Sequence, residues 1–257
     1  MADHRISGKT VLIAGGAKNL GGLIARDLAA NGAKAVMIHY NSPATQAAAE
    51  ASRSAIEASG AAAHIFRADL TTAGAVTDLF AAAKSAMGSI DIAINTTGMV
   101  LKKPFADISE AEYDTMFAIN AKAAFFFLKE AGLHVSDNGK VLTLVTSLLG
   151  AFTPFYAAYA GAKAPVEHFT RAAAKEFGAR GISVTAVGPG PMDTPFFYGQ
   201  EAKEAVQYHS TAAALSPFSK TGLTDIEDIV PLIRFLVSDG WWITGQTILA
   251  NGGYTTK

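Results

Sequence analysis

The chain has 257 residues, of which 50% are apolar and 17% charged; its formal net charge is −1 and it contains no cysteine. That composition supplies a sizeable core and argues against disorder, while near-neutrality gives no long-range field for nucleic acid or an anionic membrane. Without cysteine there is no disulfide, no thiolate nucleophile and no cysteine-bound metal, which fits a reducing compartment and makes the cytoplasm the expected location.

Short β-rich runs alternate with longer alanine-rich helical stretches. In chain order they are strand 10–15, helix 19–31, strand 33–40, helix 43–59, strand 61–68, helix 73–87, strand 90–98, helix 112–134, strand 140–147, helix 156–178, strand 182–190, helix 225–237 and strand 247–253. Several strand runs are nearly continuous in Val, Ile, Leu and Ala, the mark of strands covered on both faces. The intervening helices are long enough for crossover connections. The expectation is a single α/β domain over 1–257, a doubly wound seven-stranded parallel sheet with helices on both faces. The start, "MADHRISGK", lacks the apolar core of a leader, and no apolar run approaches the roughly 20 residues of a membrane helix. Segment 188–224, rich in aromatic residues, Gly and Pro, is read as a substrate-binding loop.

The first strand runs into "IAGGAKNLGGLIA", residues 13–25. A first βα turn brings a helix N-terminus, with its free N–H groups and positive dipole end, against a pyrophosphate. Gly15 makes the turn and Gly21 lets the helix pack close to the strand. Asn19 stands at a middle position often held by Gly, and Asn tolerates φ > 0 better than other side chains; Lys18 and Leu20 flank it. The second strand ends "HYNSP" with no carboxylate to accept from a ribose 2′-OH. Tyr40, Asn41, Ser42 and the Lys18 ammonium would instead meet a 2′-phosphate, which favours NADP(H) over NAD(H).

Further along, Ser147 follows the fifth strand, and Tyr159 and Lys163 lie four apart in "YAGAK" on one helix face. A nearby ammonium favours phenolate, and so would suit a tyrosine to proton transfer at neutral pH. Together with these, the glycine turn, Asp69 and Leu70 after the third strand, "NTTG" (Asn95 to Gly98) after the fourth, Asn120 in "MFAIN", "PGPMDT" from Pro189 and "ITGQTILANGG" resemble the short-chain dehydrogenase/reductase family, in order and over essentially the whole chain.

The resemblance implies a Rossmann-type sheet, a nicotinamide cofactor, a homotetramer and a catalytic tetrad of Asn120, Ser147, Tyr159 and Lys163. Ser147 would bond the substrate oxygen, Tyr159 would give or take its proton, Lys163 would tune Tyr159 and anchor the cofactor ribose, and Asn120 would hold a water. Asp69, Leu70, Asn95, Thr96, Gly98, Pro189, Gly190 and Thr194 would line the cofactor. The chain departs from the family pattern at Ala14, usually Thr; at Asn19; in "NTTG" for Asn-Asn-Ala-Gly; and in a Ser147-to-Tyr159 spacing one residue short. Leu149, Phe155, Tyr156, Phe196 and Phe197, with Phe152, Tyr198 and Phe218, suggest an apolar substrate pocket that His209 could also reach.

The substrate implied is a small carbonyl or alcohol compound. Two alternatives stand beside carbonyl reduction. Tyr156 lies seven residues before Lys163, the spacing of the related enoyl-thioester reductases, and a non-catalytic NADP-binding protein would share the glycine turn. The six histidines show no metal-like spacing.

Overall fold

The computed structural model describes residues 3–151 and 153–256; Phe152 lies outside them. Seven strands form one sheet in the order β3-β2-β1-β4-β5-β6-β7, every neighbouring pair parallel. They are β1 (Thr10–Ala14), β2 (Ala35–Tyr40), β3 (Ala62–Arg67), β4 (Ile92–Asn95), β5 (Lys140–Leu144), β6 (Ser183–Pro189) and β7 (Thr247–Ala250). The helices are α1 (Asn19–Ala30), α2 (Gln46–Ala58), α3 (Ala73–Met87), α4 (Glu110–Phe117), α5 (Ala123–His134), α6 (Ala157–Phe177), α7 (Pro195–Tyr198), α8 (Lys203–Ala212) and α9 (Ile226–Leu236).

The period of two along each strand sends alternate side chains to opposite cores. Val11, Ile13, Val36 and Ile38 pack with Ile24 and Leu28 of α1 and Ile229 and Ile233 of α9. Leu12, Ala14, Met37 and Ala93 face the other way, onto Leu79 and Phe80 of α3 and Phe127 of α5. Central strands are therefore buried throughout, which explains their unbroken apolar runs; β3 and β7, at the sheet edges, are half-exposed. Strand order reverses between β1 and β4. In an open parallel sheet the crevice beyond the strands' carboxyl ends at that switch point is where ligands bind.

Three elements differ from the sequence expectation. Helix 43–59 begins as a 3-10 turn at Pro43–Thr45 before α2. Helix 112–134 is α4, a π-helical turn at Ala118–Lys122, and α5. Segment 188–224 contains two helices, α7 and α8. Among the described residues no helix is long and apolar enough to cross a membrane.

Candidate active site

The glycine turn sits at the switch point. Gly15 has φ +80° and Asn19 φ +50°, so the left-handed positions are taken by the two residue types that tolerate them. A Cβ on Gly21 would come within 2.3 Å of the Gly15 carbonyl oxygen and 2.6 Å of Thr96 Oγ1; a Cβ on Gly15 would meet the same Thr96 oxygen at 2.6 Å. Thr96 Oγ1 donates to Ala14 O at 2.9 Å, so the hydroxyl of "NTTG" ties the ends of β4 and β1 and sets how closely α1 approaches. Below the turn, His39 accepts from Gly15 N through Nδ1 (3.2 Å), and its Nε2 lies 2.8 Å from Ala68 O. Burial lowers the pKa of His39, and the neutral Nε2–H tautomer satisfies both bonds.

The side chains of Leu20 and Leu70 belong to the two cores, so any cofactor contact falls to their backbone. Tyr40 is buried against Ala17 and Ala49; Lys18, Asn41 and Asp69 are exposed and Ser42 is half-buried. Register places Arg67 beside Tyr40. The sequence reading missed this second exposed cation, because only strand pairing brings it to the β2 end. No carboxylate ends β2, and Lys18 and Arg67 both stand at the carboxyl edge of the sheet, a donor set that fits a phosphorylated ribose. Asn95 Oδ1 is engaged by Thr97 N (3.0 Å) and Thr97 Oγ1 (2.6 Å). Gly190 and Thr194 are buried past the end of β6, Pro189; a Cβ on Gly190 would meet Thr224 Oγ1 at 2.6 Å.

Gly98 backs onto two members of the expected tetrad: its added Cβ would lie 2.9 Å from Asn120 Oδ1 and 3.0 Å from Lys163 Nζ. Asn120 sits in the π-helical turn and donates Nδ2 to Met99 O (2.9 Å) and Met116 O (3.0 Å). Lys163, buried on α6, donates to Thr97 O (3.1 Å) and Leu144 O (3.0 Å). Burial lowers its pKa to about 8. Tyr159 is also buried and its phenol is pushed up to about 12, the hydrogen bond with Thr146 opposing only part of that rise. The tyrosine is thus a proton-loaded phenol in this structure. Desolvation outweighs any help from Lys163, whose ammonium spends its bonds on two carbonyls.

Ser147 and Tyr159 line one open cleft, with Thr146, Tyr156, Phe196 and Phe197 in its walls. Leu149 and Phe155 do not line it. Leu149 packs against Val145 and Val166; Phe155 has φ +74° and is 48% exposed. His209, Glu201 and Tyr254 do line it. Of these only His209 was anticipated, since Tyr254 and Glu201 are brought in by the fold of the C-terminal tail and of segment 188–224. Phe218, 86% exposed, stands outside the cleft wall.

A switch-point glycine turn, with serine, tyrosine and a buried lysine gathered at the same sheet edge, defines an oxidoreductase of the Rossmann type. A family model described as enoyl-(acyl carrier protein) reductase matches residues 15–255. The chain belongs to the short-chain dehydrogenase/reductase family. It is 34% identical to an NADPH-dependent aldehyde reductase-like protein, chloroplastic, of Arabidopsis thaliana, covering 97% of this chain and 95% of that one. A protein of Burkholderia cenocepacia, described as a dehydrogenase and crystallised with bound NADP, is 75% identical with a TM-score of 0.99, covering 100% and 97% of the two chains. A blue fluorescent protein from a metagenomic library, solved with NADPH, is 26% identical at TM-score 0.90, covering 98% and 100%.

Proposed function

We propose that this chain is an NADP(H)-dependent oxidoreductase that reduces a carbonyl to an alcohol, reversibly, with Tyr159 as general acid and base. The observation that carries the reading is that the Ser147 and Tyr159 residues share one cleft wall while Lys163 and Asn120 are buried at Gly98 on the adjoining strand end. The cofactor would be held by the turn from Gly15 to Gly21, by Lys18, Tyr40, Asn41 and Ser42 at the 2′-phosphate, and by Asp69, Asn95, Thr96, Gly98, Pro189, Gly190 and Thr194 along its length. NADPH, when bound, supplies the hydride.

The chain's own residues handle the oxygen. Ser147 orients it by hydrogen bonding, and Tyr159, kept protonated by burial, delivers its proton as negative charge develops there. Lys163, held on Thr97 O and Leu144 O beside Gly98, would anchor the cofactor ribose and add positive charge to the site as the phenolate forms. In the oxidative direction the same groups run backward, which requires an ionised Tyr159 and so favours high pH. Tyr159→Phe should retain NADPH binding and lose turnover by about a hundredfold or more. NADPH oxidation against a carbonyl panel measures this, and substantial residual activity would refute the role.

Tyr156 lines the same cleft, its ring centroid 6.4 Å from that of Tyr159. With the description of the matching family model, this supports enoyl-thioester reduction as the second reading. Turnover confined to enoyl thioesters, abolished by Tyr156→Phe rather than Tyr159→Phe, would establish it. The aromatic face of Phe117, Phe125, Phe126 and Phe169, with Phe125 46% exposed, supports a homotetramer built through α5 and α6. The cysteine-free composition is in keeping with a cytoplasmic enzyme.

A further inference from the structure

The cleft of Ser147 and Tyr159 contains one ionised group that the reaction does not use. Glu201, between α7 and α8, is one of its lining residues, and its side chain is fully buried. Its Oε2 accepts from Lys102 Nζ. Its Oε1 is buried and has no hydrogen-bond partner among the described residues. Buried polar atoms in folded proteins are almost always paired, so an unpaired carboxylate oxygen in a cleft wall marks a place for a donor that arrives with the ligand.

The surroundings restrict that donor. Lys102 already balances the Glu201 charge, and the Lys102 ammonium lies 5.7 Å from the centroid of the Tyr156 ring. His209, also in the cleft wall, is held toward its neutral form by burial, and its Nδ1 is 3.2 Å from the Tyr254 hydroxyl. The local charge therefore sums to zero. A cationic group would find no uncompensated anion, and an anionic one would face the free Oε1. A neutral O–H donor meets neither penalty.

We propose that Glu201 Oε1 accepts a hydrogen bond from a hydroxyl group of the substrate remote from its reacting carbonyl, so that the cleft selects hydroxylated carbonyl compounds over their deoxy counterparts. The inference rests on the carbonyl-reductase reading of the cleft. A site built to bond a hydroxyl discriminates strongly against the analogue that lacks it, because the acceptor is then left unpaired. Glu201 acts here in specificity, not in proton transfer.

The test is calorimetric titration of the NADP⁺-saturated full-length protein with matched probes, alongside NADPH turnover on the same compounds. The probes are acetophenone and its ortho-, meta- and para-hydroxy, para-carboxy and para-aminomethyl derivatives, and cyclohexanone with its hydroxycyclohexanones. At least one hydroxylated compound of each set should bind about tenfold or more tightly than its parent ketone. Glu201→Gln, which exchanges a charged acceptor for a neutral amide, should lower that ratio several-fold while leaving parent-ketone binding in place. Equal binding of parent and hydroxylated ketones by the wild-type protein would overturn the proposal without recourse to any variant. So would an undiminished ratio in Glu201→Gln, or tightest binding by the carboxylate or the amine. A hydroxyl preference in binding with no turnover on any carbonyl would instead overturn the reductase reading and leave the role of Glu201 standing.

Discussion

Asn19 enters α1 at φ +50°, a region where an ordinary L side chain is disfavoured by roughly 1–2 kcal/mol. Asn19→Ala should therefore lose about 1 kcal/mol of stability, whereas Asn19→Gly should lose less than about half of that; urea unfolding of the two variants measures the difference. Equal losses would mean that the amide, not the backbone, is what matters. The need for a left-handed residue could be read from the spacing of "GGAKNLG" alone, since the turn demands it. At the chemical end, Ser147, Tyr159 and Lys163 are picked out by order and by the one-turn interval of "YAGAK", and the fold brings Ser147 and Tyr159 into one cleft. The protonation of Tyr159 was not legible. Sequence shows a lysine four residues away but not that both groups are buried, and burial determines the direction of the shift. Glu201 was invisible for a related reason, because nothing local to "GQEAK" announces a partner such as Lys102 across the cleft.

At the level of elements, periodicity predicts one helix over 112–134, and the structure interrupts it with a π-helical turn at Ala118–Lys122. Asn120 lies in the middle of this turn. Its side-chain amide takes the Met116 carbonyl, four residues back, and reaches across to Met99 O, so one residue both caps the disturbed turn and anchors the loop after β4. Such turns within helices often mark functional sites. Asn120→Ala should lower stability by about 1–3 kcal/mol through the carbonyls left unpaired, and should also reduce turnover because Gly98 packs against both that side chain and Lys163. Thermal melts and steady-state rates follow the two effects, and an unchanged melting temperature would deny the structural half. Helix α6, by contrast, matches its expected bounds to within a residue despite Pro165 in its interior. The residue four before the proline is Gly161, exposed and without a side chain, which eases the local crowding a proline brings. Helix α8 escaped the sequence reading because "KEAVQYHSTA" is polar and sits among Gly- and Pro-rich stretches. What holds it is burial of His209 under Phe197 and Tyr254, a tertiary contact.

On the scale of the whole molecule, the strand order gathers residues from positions 15 to 254 at one edge of one sheet, and the apolar runs predicted this because both faces of the sheet are covered. They did not predict how the edge is tied together. His39 does part of this: it stands on β2, holds the Gly15 amide past β1 and reaches the carbonyl of Ala68 past β3. Its pKa lies below the ordinary histidine value of 6.5 because burial disfavours the charged ring. Folding therefore favours the neutral form, and its contribution is complete above pH 6.5 and declines as pH falls below it. Protonation would also convert Nδ1 from acceptor to donor, opposing the Gly15 amide in the cofactor turn. We expect unfolding free energy to fall as pH drops below about 6.5, and NADPH affinity to fall at lower pH still, where the folded ring itself takes up a proton. His39→Phe should start about 1–3 kcal/mol lower and vary less with pH. His4 and His209 are depressed in the same direction but remain in both proteins, so the difference between the two pH profiles isolates His39. Parallel profiles would show that the ring packs between the strands without its protonation state governing the turn.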